Sequence, residues 1–173
     1  AYSPDGRRIV AGLSDGNLKI WDAESGVEVA TVGWHSHWVR ACAYSYSHAY
    51  SHAGRRIVSE LADKTLKICD AGSGAEVATL SFLSHWIHAC AYSPDGRHIV
   101  YGSDRSLRIW DAESDVEVAT LRDNSSCVRS CTYSPDGRRI VSVSAYTTLK
   151  IWDTGSGAEV ATLRGHSGSV FTC

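Results

Sequence analysis

The chain of 173 residues has no methionine, only three prolines and two phenylalanines, and no strong excess of charge. Its 17 basic residues nearly balance 19 acidic ones, so no whole-chain field attracts nucleic acid or an anionic membrane. No apolar run approaches the roughly 18 residues that a transmembrane helix requires. The composition is not biased toward disorder, collagen or a coiled coil. With 43% hydrophobic residues the chain predicts a globular domain that can bury a core.

The sequence is also poor in motifs that carry chemistry. It contains no Gly-x-Ser-x-Gly elbow, no phosphate-binding glycine loop followed by lysine, and no His-Glu-x-x-His pair. It has no Cys-x-x-Cys pair with zinc spacing. We therefore expect no enzyme activity, no cofactor, no metal, and no binding of nucleic acid or membrane.

The six cysteines do not form a disulfide pattern. Four of them occupy one register in four copies of a repeat and are expected to be small core residues: Cys42, Cys90, Cys131 and Cys173. Cys69 stands where other copies have tryptophan, and Cys127 lies outside both patterns. Reduced thiols and the absence of a secretory signal predict a cytoplasmic protein.

An internal repeat organises the whole chain. Four copies cover residues 1–42, 43–90, 91–131 and 132–173, and we treat them as one domain. Each copy reads approximately Ala-Tyr-Ser-Pro-Asp-Gly-Arg-Arg-Ile-Val, then Leu-Lys-Ile-Trp-Asp, then Gly-Ala-Glu-Val-Ala-Thr-Leu. A period near 42 residues indicates stacked supersecondary units, none of which can bury its apolar face alone.

Apolar residues alternate over short stretches within each copy, which predicts strands and no helix. Around the second copy the strands are expected at residues 39–44, 55–59, 66–70 and 75–80. The Ser-Pro-Asp-Gly turn suits a chain reversal, because proline presets φ and glycine accepts a left-handed conformation. Four short antiparallel strands per repeat are typical of a propeller blade. The recurrent Arg-Arg pairs at 7–8, 55–56 and 138–139 are expected to be solvated.

Ile-Trp-Asp closes the third predicted strand at 20–22, 109–111 and 151–153, and Gly165-His166 precedes the next copy. With the Ser-Pro-Asp-Gly and Thr-Leu motifs, this chain resembles the Trp-Asp (WD) repeat family of β-propellers along its whole length. The resemblance implies a structural hydrogen-bond network in each blade, from loop His, strand Ser or Thr, turn Asp and strand Trp. The matching residues are His35, Ser59, Asp63, Asp104, Trp110, Ser142, Trp152, Asp15, Trp21 and His166. No blade is complete, since Cys69, for example, replaces one tryptophan.

Four repeats are few for this family, which mostly uses seven or eight blades. Joined end to end, residues 169–173 and 1–6 recreate the inner-strand sequence seen at 39–44. We therefore expect two copies to pair as a homodimeric ring of eight blades. A closed four-bladed monomer is the alternative, and a piece of a longer array is compatible with either.

Positions that differ among the copies are released from the common fold and are candidates for binding. The resemblance places them on the rim of a central channel: Trp34, Trp38, Arg40, Trp86, His88, Arg129 and Phe171. Tryptophan and arginine are enriched at binding hot spots, although each tryptophan has an alternative role in packing on the next blade. The expected function is a scaffold for protein–protein interaction in signalling. The alternative is a small-ligand or lectin-like module.

The second copy carries an insertion at residues 46–53 with a tandem Tyr-Ser-His-Ala. His48 and His52 have a metal-compatible spacing only on a helix, and we interpret the segment as a drifting solvent-exposed loop.

Overall fold

A computed structural model describes residues 1–33, 39–44, 55–61, 65–81, 87–103, 105–114, 116–122, 127–144, 147–170 and 173. Within these ranges it is all-β, as the alternation predicted. The first sheet contains β1 (Arg8–Gly12), β2 (Leu18–Asp22) and β3 (Glu28–Val32). The second contains β4 (Val39–Tyr44), β5 (Arg56–Leu61), β6 (Leu66–Asp70) and β7 (Glu76–Leu80). The third contains β8 (Ala89–Tyr92), β9 (His98–Ser103), β10 (Ser106–Asp111) and β11 (Val116–Arg122). The fourth contains β12 (Val128–Tyr133), β13 (Arg139–Ser144), β14 (Leu149–Asp153) and β15 (Glu159–Leu163).

Each sheet is an antiparallel meander in chain order, as expected of a propeller blade. The first sheet has three strands, and an isolated bridge from Tyr2 to Ile9 stands where its innermost strand would run. The inner strands β4, β8 and β12 contact one another in succession, so the sheets stack side by side. Among the described strands, the fourth sheet makes no contact with the first that compares with those between successive sheets. Ring closure therefore stays a prediction.

Three apolar cores lie at the three junctions between successive sheets. In the first three sheets, one face turns toward the following sheet and carries the valine, leucine and isoleucine positions, such as Val58, Leu66 and Ile68. In the last three sheets, the other face turns toward the preceding sheet and carries the isoleucine and tryptophan positions, such as Ile140 and Trp152. Each core is formed by residues of two successive sheets, so each blade depends on its neighbours to bury its apolar side chains.

The strand-ending aspartates hold the outer turns in place. The Asp70 carboxylate accepts hydrogen bonds from the backbone N–H of Gly72 at 3.0 Å and of Ser73 at 2.8 Å. These bonds to the charged form lower the pKa of Asp70, those from Ser73 being the strongest. At Asp111, burial alone would raise the pKa of the carboxyl. Hydrogen bonds from the Ser114 N–H and the Arg97 guanidinium outweigh that effect and hold the pKa well below its usual range.

These lowered pKa values predict acid-labile stability. A carboxyl whose pKa is lower in the folded state stabilises the fold above its unfolded pKa, near 4, and loses that contribution as pH falls through the folded value. We expect the melting temperature to fall steeply below pH 4. The Asp111→Asn variant should start from a lower melting temperature and lose less on acidification. Circular dichroism melts at pH 3 and pH 7 test this, and parallel pH profiles for both proteins would contradict it.

Arginine pairs lie at the starts of β1, β5 and β13, and only the first member of each pair is fully exposed. The first members Arg7, Arg55 and Arg138 are exposed, as predicted. Two of the second members, Arg8 and Arg56, reach across a junction instead. Arg8 Nη1 donates to the Ala71 carbonyl at 2.9 Å, and Arg56 Nη1 donates to the Ala112 carbonyl at 3.2 Å. The expectation of solvated pairs was therefore wrong for these two residues, because their long side chains find an acceptor on the neighbouring sheet.

Candidate binding faces of the sheet stack

The inner strands of the second and fourth sheets begin at the same irregularity. The register between β4 and β5 shifts between Val39 and Ala41, which leaves Arg40 in a β-bulge. The register between β12 and β13 shifts between Val128 and Ser130, which does the same for Arg129. A bulge bends the strand and re-aims a side chain, and bulges are frequent beside functional sites.

His88 occupies the corresponding position in the third sheet. Its backbone N–H donates to the Gly102 carbonyl at 3.1 Å, one residue before β8 begins. Three of the seven predicted rim positions, Arg40, His88 and Arg129, thus occupy equivalent positions on successive sheets. The Arg129 side chain is exposed and that of His88 is half-buried. The Arg40 side chain and residues Trp34, Trp38, Trp86 and Phe171 lie outside what the structure describes, so the complete rim remains a prediction.

The sheets approach one another closely just behind these bulges. Gly102 on β9 faces Val128 on β12, where an added Cβ would lie 2.7 Å from the valine Cγ1. Gly12 on β1 faces Val39 on β4 in the same manner. Glycine is needed at these two positions because the neighbouring inner strand fills the space that a side chain would take. The second sheet has the fully buried Glu60 at the equivalent position.

The fourth sheet contains a direct contact between two residues of the predicted structural network. Trp152 Nε1 donates to Ser142 Oγ at 2.9 Å, and both side chains are buried. In the second sheet Cys69 takes the tryptophan position, and the Ser59 hydroxyl donates to the Lys67 carbonyl at 3.4 Å. In the third sheet Trp110 is buried, and Tyr101 takes the serine position at 1% exposure.

The other predicted network residues are dispersed. Trp21 is half-buried on β2, Asp15 is exposed in the turn between β1 and β2, and His166 is exposed after β15. Asp15 accepts a hydrogen bond from the Asn17 backbone N–H at 3.0 Å. His35, Asp63 and Asp104 lie outside the described residues, as does the insertion at 46–53.

Four cysteines pack in or against the cores, namely Cys42, Cys69, Cys90 and Cys131, whereas Cys173, expected to be a core residue, is exposed because no described sheet covers it. All six are free thiols. Burial raises the pKa of Cys69 to about 12 and also raises the pKa values of Cys90 and Cys131. These three thiols therefore remain protonated at neutral pH and are poor nucleophiles.

A second kind of feature lies at the opposite end of the inner strands. A cavity of about 440 Å³ opens between the third and fourth sheets, lined by Ser93, Asp95, His98, Tyr133, Asp136 and Arg138 among others. A similar cavity of about 600 Å³ between the first and second sheets is lined by Ser3, Asp5, Arg55 and Asp70 among others. The sequence analysis did not predict these cavities. The recurrent Ser-Pro-Asp-Gly turn, which forms one wall of each, was interpreted only as a chain reversal.

Neither a metal site nor a membrane helix emerges from the part of the chain that the structure describes. Within those residues, no group of three or more histidine, cysteine, aspartate or glutamate side chains is arranged to hold an ion. Likewise, no described helix is long and apolar enough to cross a membrane.

Comparison with known families agrees with the sheet architecture. The family described as WD domain, G-beta repeat (WD40) matches residues 1–22, 75–111 and 115–153, which together exceed half of the chain. The chain belongs to this family, whose repeats generally mediate protein–protein interaction and are typically non-catalytic. A search of curated proteins found no match.

Proposed function

We propose that this protein is a non-catalytic scaffold that binds a peptide or protein segment on the rim at the start of its inner strands. The observation that carries the proposal is the position at the start of the inner strands, which is a bulge in the second and fourth sheets. The sheets share most of their strand and turn motifs, yet this position holds Arg40, His88 and Arg129 in turn. Variation among equivalent positions is expected where one asymmetric partner contacts each blade differently.

The chemistry of these positions indicates the kind of partner. Two guanidinium groups and an imidazole on successive sheets favour carboxylates, which arginine binds through paired hydrogen bonds. The tryptophans predicted beside them, Trp34, Trp38 and Trp86, would pack against apolar or aromatic side chains. We therefore propose an acidic peptide with at least one large apolar residue as the ligand, and a signalling role in the cytoplasm.

A peptide array followed by affinity measurement tests the proposal. The Arg129→Ala variant should bind the selected peptide about tenfold or more weakly than the natural chain, as expected for an arginine hot spot. The matched control is Arg138→Ala, which removes an exposed arginine of the same sheet at its opposite end. Equal affinity of both variants would contradict a rim site that uses Arg129.

One observation favours the alternative, a module for small ligands or carbohydrates. The two inter-sheet cavities share equivalent polar walls, built from Ser3, Pro4 and Asp5 in one and Ser93, Pro94 and Asp95 in the other. Cavities of this size suit small ligands. A glycan-array signal that falls in Arg138→Ala and persists in Arg129→Ala would support this function over the rim scaffold.

A further inference from the structure

The fourth sheet presents an apolar face that its counterparts bury. Val141, Leu149 and Ile151 are half-buried, and Leu163 is 47% exposed. In the other sheets the residues at these positions are between 0% and 4% exposed, because the following sheet covers them: Val10, Leu18, Ile20, Val32, Val58, Leu66, Ile68, Leu80, Val100, Leu107, Ile109 and Leu121.

The first sheet presents the complementary face. Ile9 and Trp21 are half-buried. Their equivalents are buried against the preceding sheet in the third and fourth sheets, where Ile99 and Ile140 are 0% exposed and Trp110 and Trp152 are 8% and 4% exposed. The two uncovered faces therefore carry the two halves of the junction that the chain already builds three times.

The position of Cys173 indicates how a further sheet would pack against the fourth sheet. Its Sγ lies 3.9 Å from the Val141 carbonyl, and Cys42 Sγ lies 3.8 Å from the Val10 carbonyl. Val141 and Val10 are equivalent positions. Cys173 therefore contacts the fourth sheet in the same way as Cys42, on inner strand β4, contacts the first sheet. Cys42 pairs with Ser59 on β5, and the first-sheet equivalent of Ser59 is Ala11. Ala1 already pairs with Val10, so Ala11 is the next position for an inner strand.

We propose that the fourth sheet of one copy packs against the first sheet of a second copy, and the reverse, to close a two-fold ring of eight sheets. Each copy supplies Cys173 to the inner-strand position beside Ala11 of the other. The junction reuses contacts that are shown to pack within the chain, so it requires no new surface chemistry. Closure by a two-fold axis also covers both apolar faces at once and leaves no face for further growth.

The arginine contacts fit the same junction. Arg8 and Arg56 each donate to a backbone carbonyl of the following sheet, that of Ala71 and that of Ala112. Arg139, their equivalent in the fourth sheet, instead bonds to Asp153 of its own sheet. In the ring its guanidinium gains the Ala23 carbonyl of the second copy as the corresponding acceptor.

A cysteine introduced at Ala11 tests the geometry. Directly paired residues of antiparallel strands have Cα atoms about 4.5–5.5 Å apart, which suits a disulfide. Oxidised Ala11→Cys should migrate as a reducible species of about twice 18.7 kDa on a denaturing gel. The control Ala11→Cys with Cys173→Ser should remain at the monomer mass. An Ala11→Cys chain with an internal disulfide would show a four-bladed monomer, and absence of any disulfide would also overturn the proposal.

Mixing two variants tests the head-to-tail pairing. Ile151→Asp and Trp21→Asp should each give the monomer mass by light scattering, because each breaks both junctions. Mixed, they should regain dimer, since one junction then joins two natural faces. Val77→Asp, which alters a 47% exposed residue outside both faces, should leave the dimer intact. Circular dichroism confirms that each variant is folded. A monomeric natural chain, or a ladder of larger assemblies, would contradict the closed ring.

Discussion

The Trp152→Ala variant should lower the free energy of unfolding by about 3–5 kcal/mol, the usual cost of deleting a large buried side chain. Trp152 is 4% exposed and fills the core between the third and fourth sheets. Its indole also donates to Ser142 Oγ, so the substitution leaves a buried hydroxyl without its donor. Urea unfolding followed by circular dichroism measures the effect.

The second sheet supplies a matched control at the equivalent position. Cys69 is 1% exposed and has a much smaller side chain than tryptophan. Cys69→Ala should therefore lower the free energy of unfolding much less than Trp152→Ala. The reciprocal Cys69→Trp should raise the melting temperature if the sheets can separate enough to admit the ring beside Ser59. A lower melting temperature would instead show that the core between the first and second sheets is packed around the cysteine. A loss below about 1 kcal/mol for Trp152→Ala would contradict its role in the core.

Gly102→Ala should destabilise the fold by about 1–3 kcal/mol through overpacking. The new Cβ would lie 2.7 Å from Val128 Cγ1, 2.9 Å from Val128 Cβ and 3.2 Å from the Val128 carbonyl oxygen. The carbonyl belongs to an inner strand, so relief requires the third and fourth sheets to separate. Denaturant midpoints of the variant and the natural chain measure the cost.

Two variants show whether crowding is the cause. Gly168 has no atom within 4 Å of an added Cβ, so Gly168→Ala should be nearly neutral. Combining Gly102→Ala with Val128→Ala should cost less than the sum of the two single changes, because the smaller side chain makes room. Strict additivity would mean that the two sites are independent and that the close approach is not the source of the effect.

Strand positions were largely predictable because they depend on neighbours in the chain. The strand expected at 39–44 is observed as Val39–Tyr44, and those expected at 55–59 and 75–80 are Arg56–Leu61 and Glu76–Leu80. Period-two alternation and the turns after Tyr92 and Tyr133 act over a few residues, so they can be read directly. The candidate rim was predictable only as a set of variable positions. The sequence does not show that bulges at Arg40 and Arg129 would place them alike.

The residue order of this protein is sufficient to specify four copies, short antiparallel strands, polar turns and membership in a repeat family, because each of these is a local or periodic property. Tertiary structure alone decided which face of each sheet meets its neighbour, where Gly102 must remain small, and that Arg8 bonds to Ala71 across a junction. Those features depend on distances between residues far apart in the chain. Such distances are set only when whole sheets pack together, and no periodicity within one repeat encodes them.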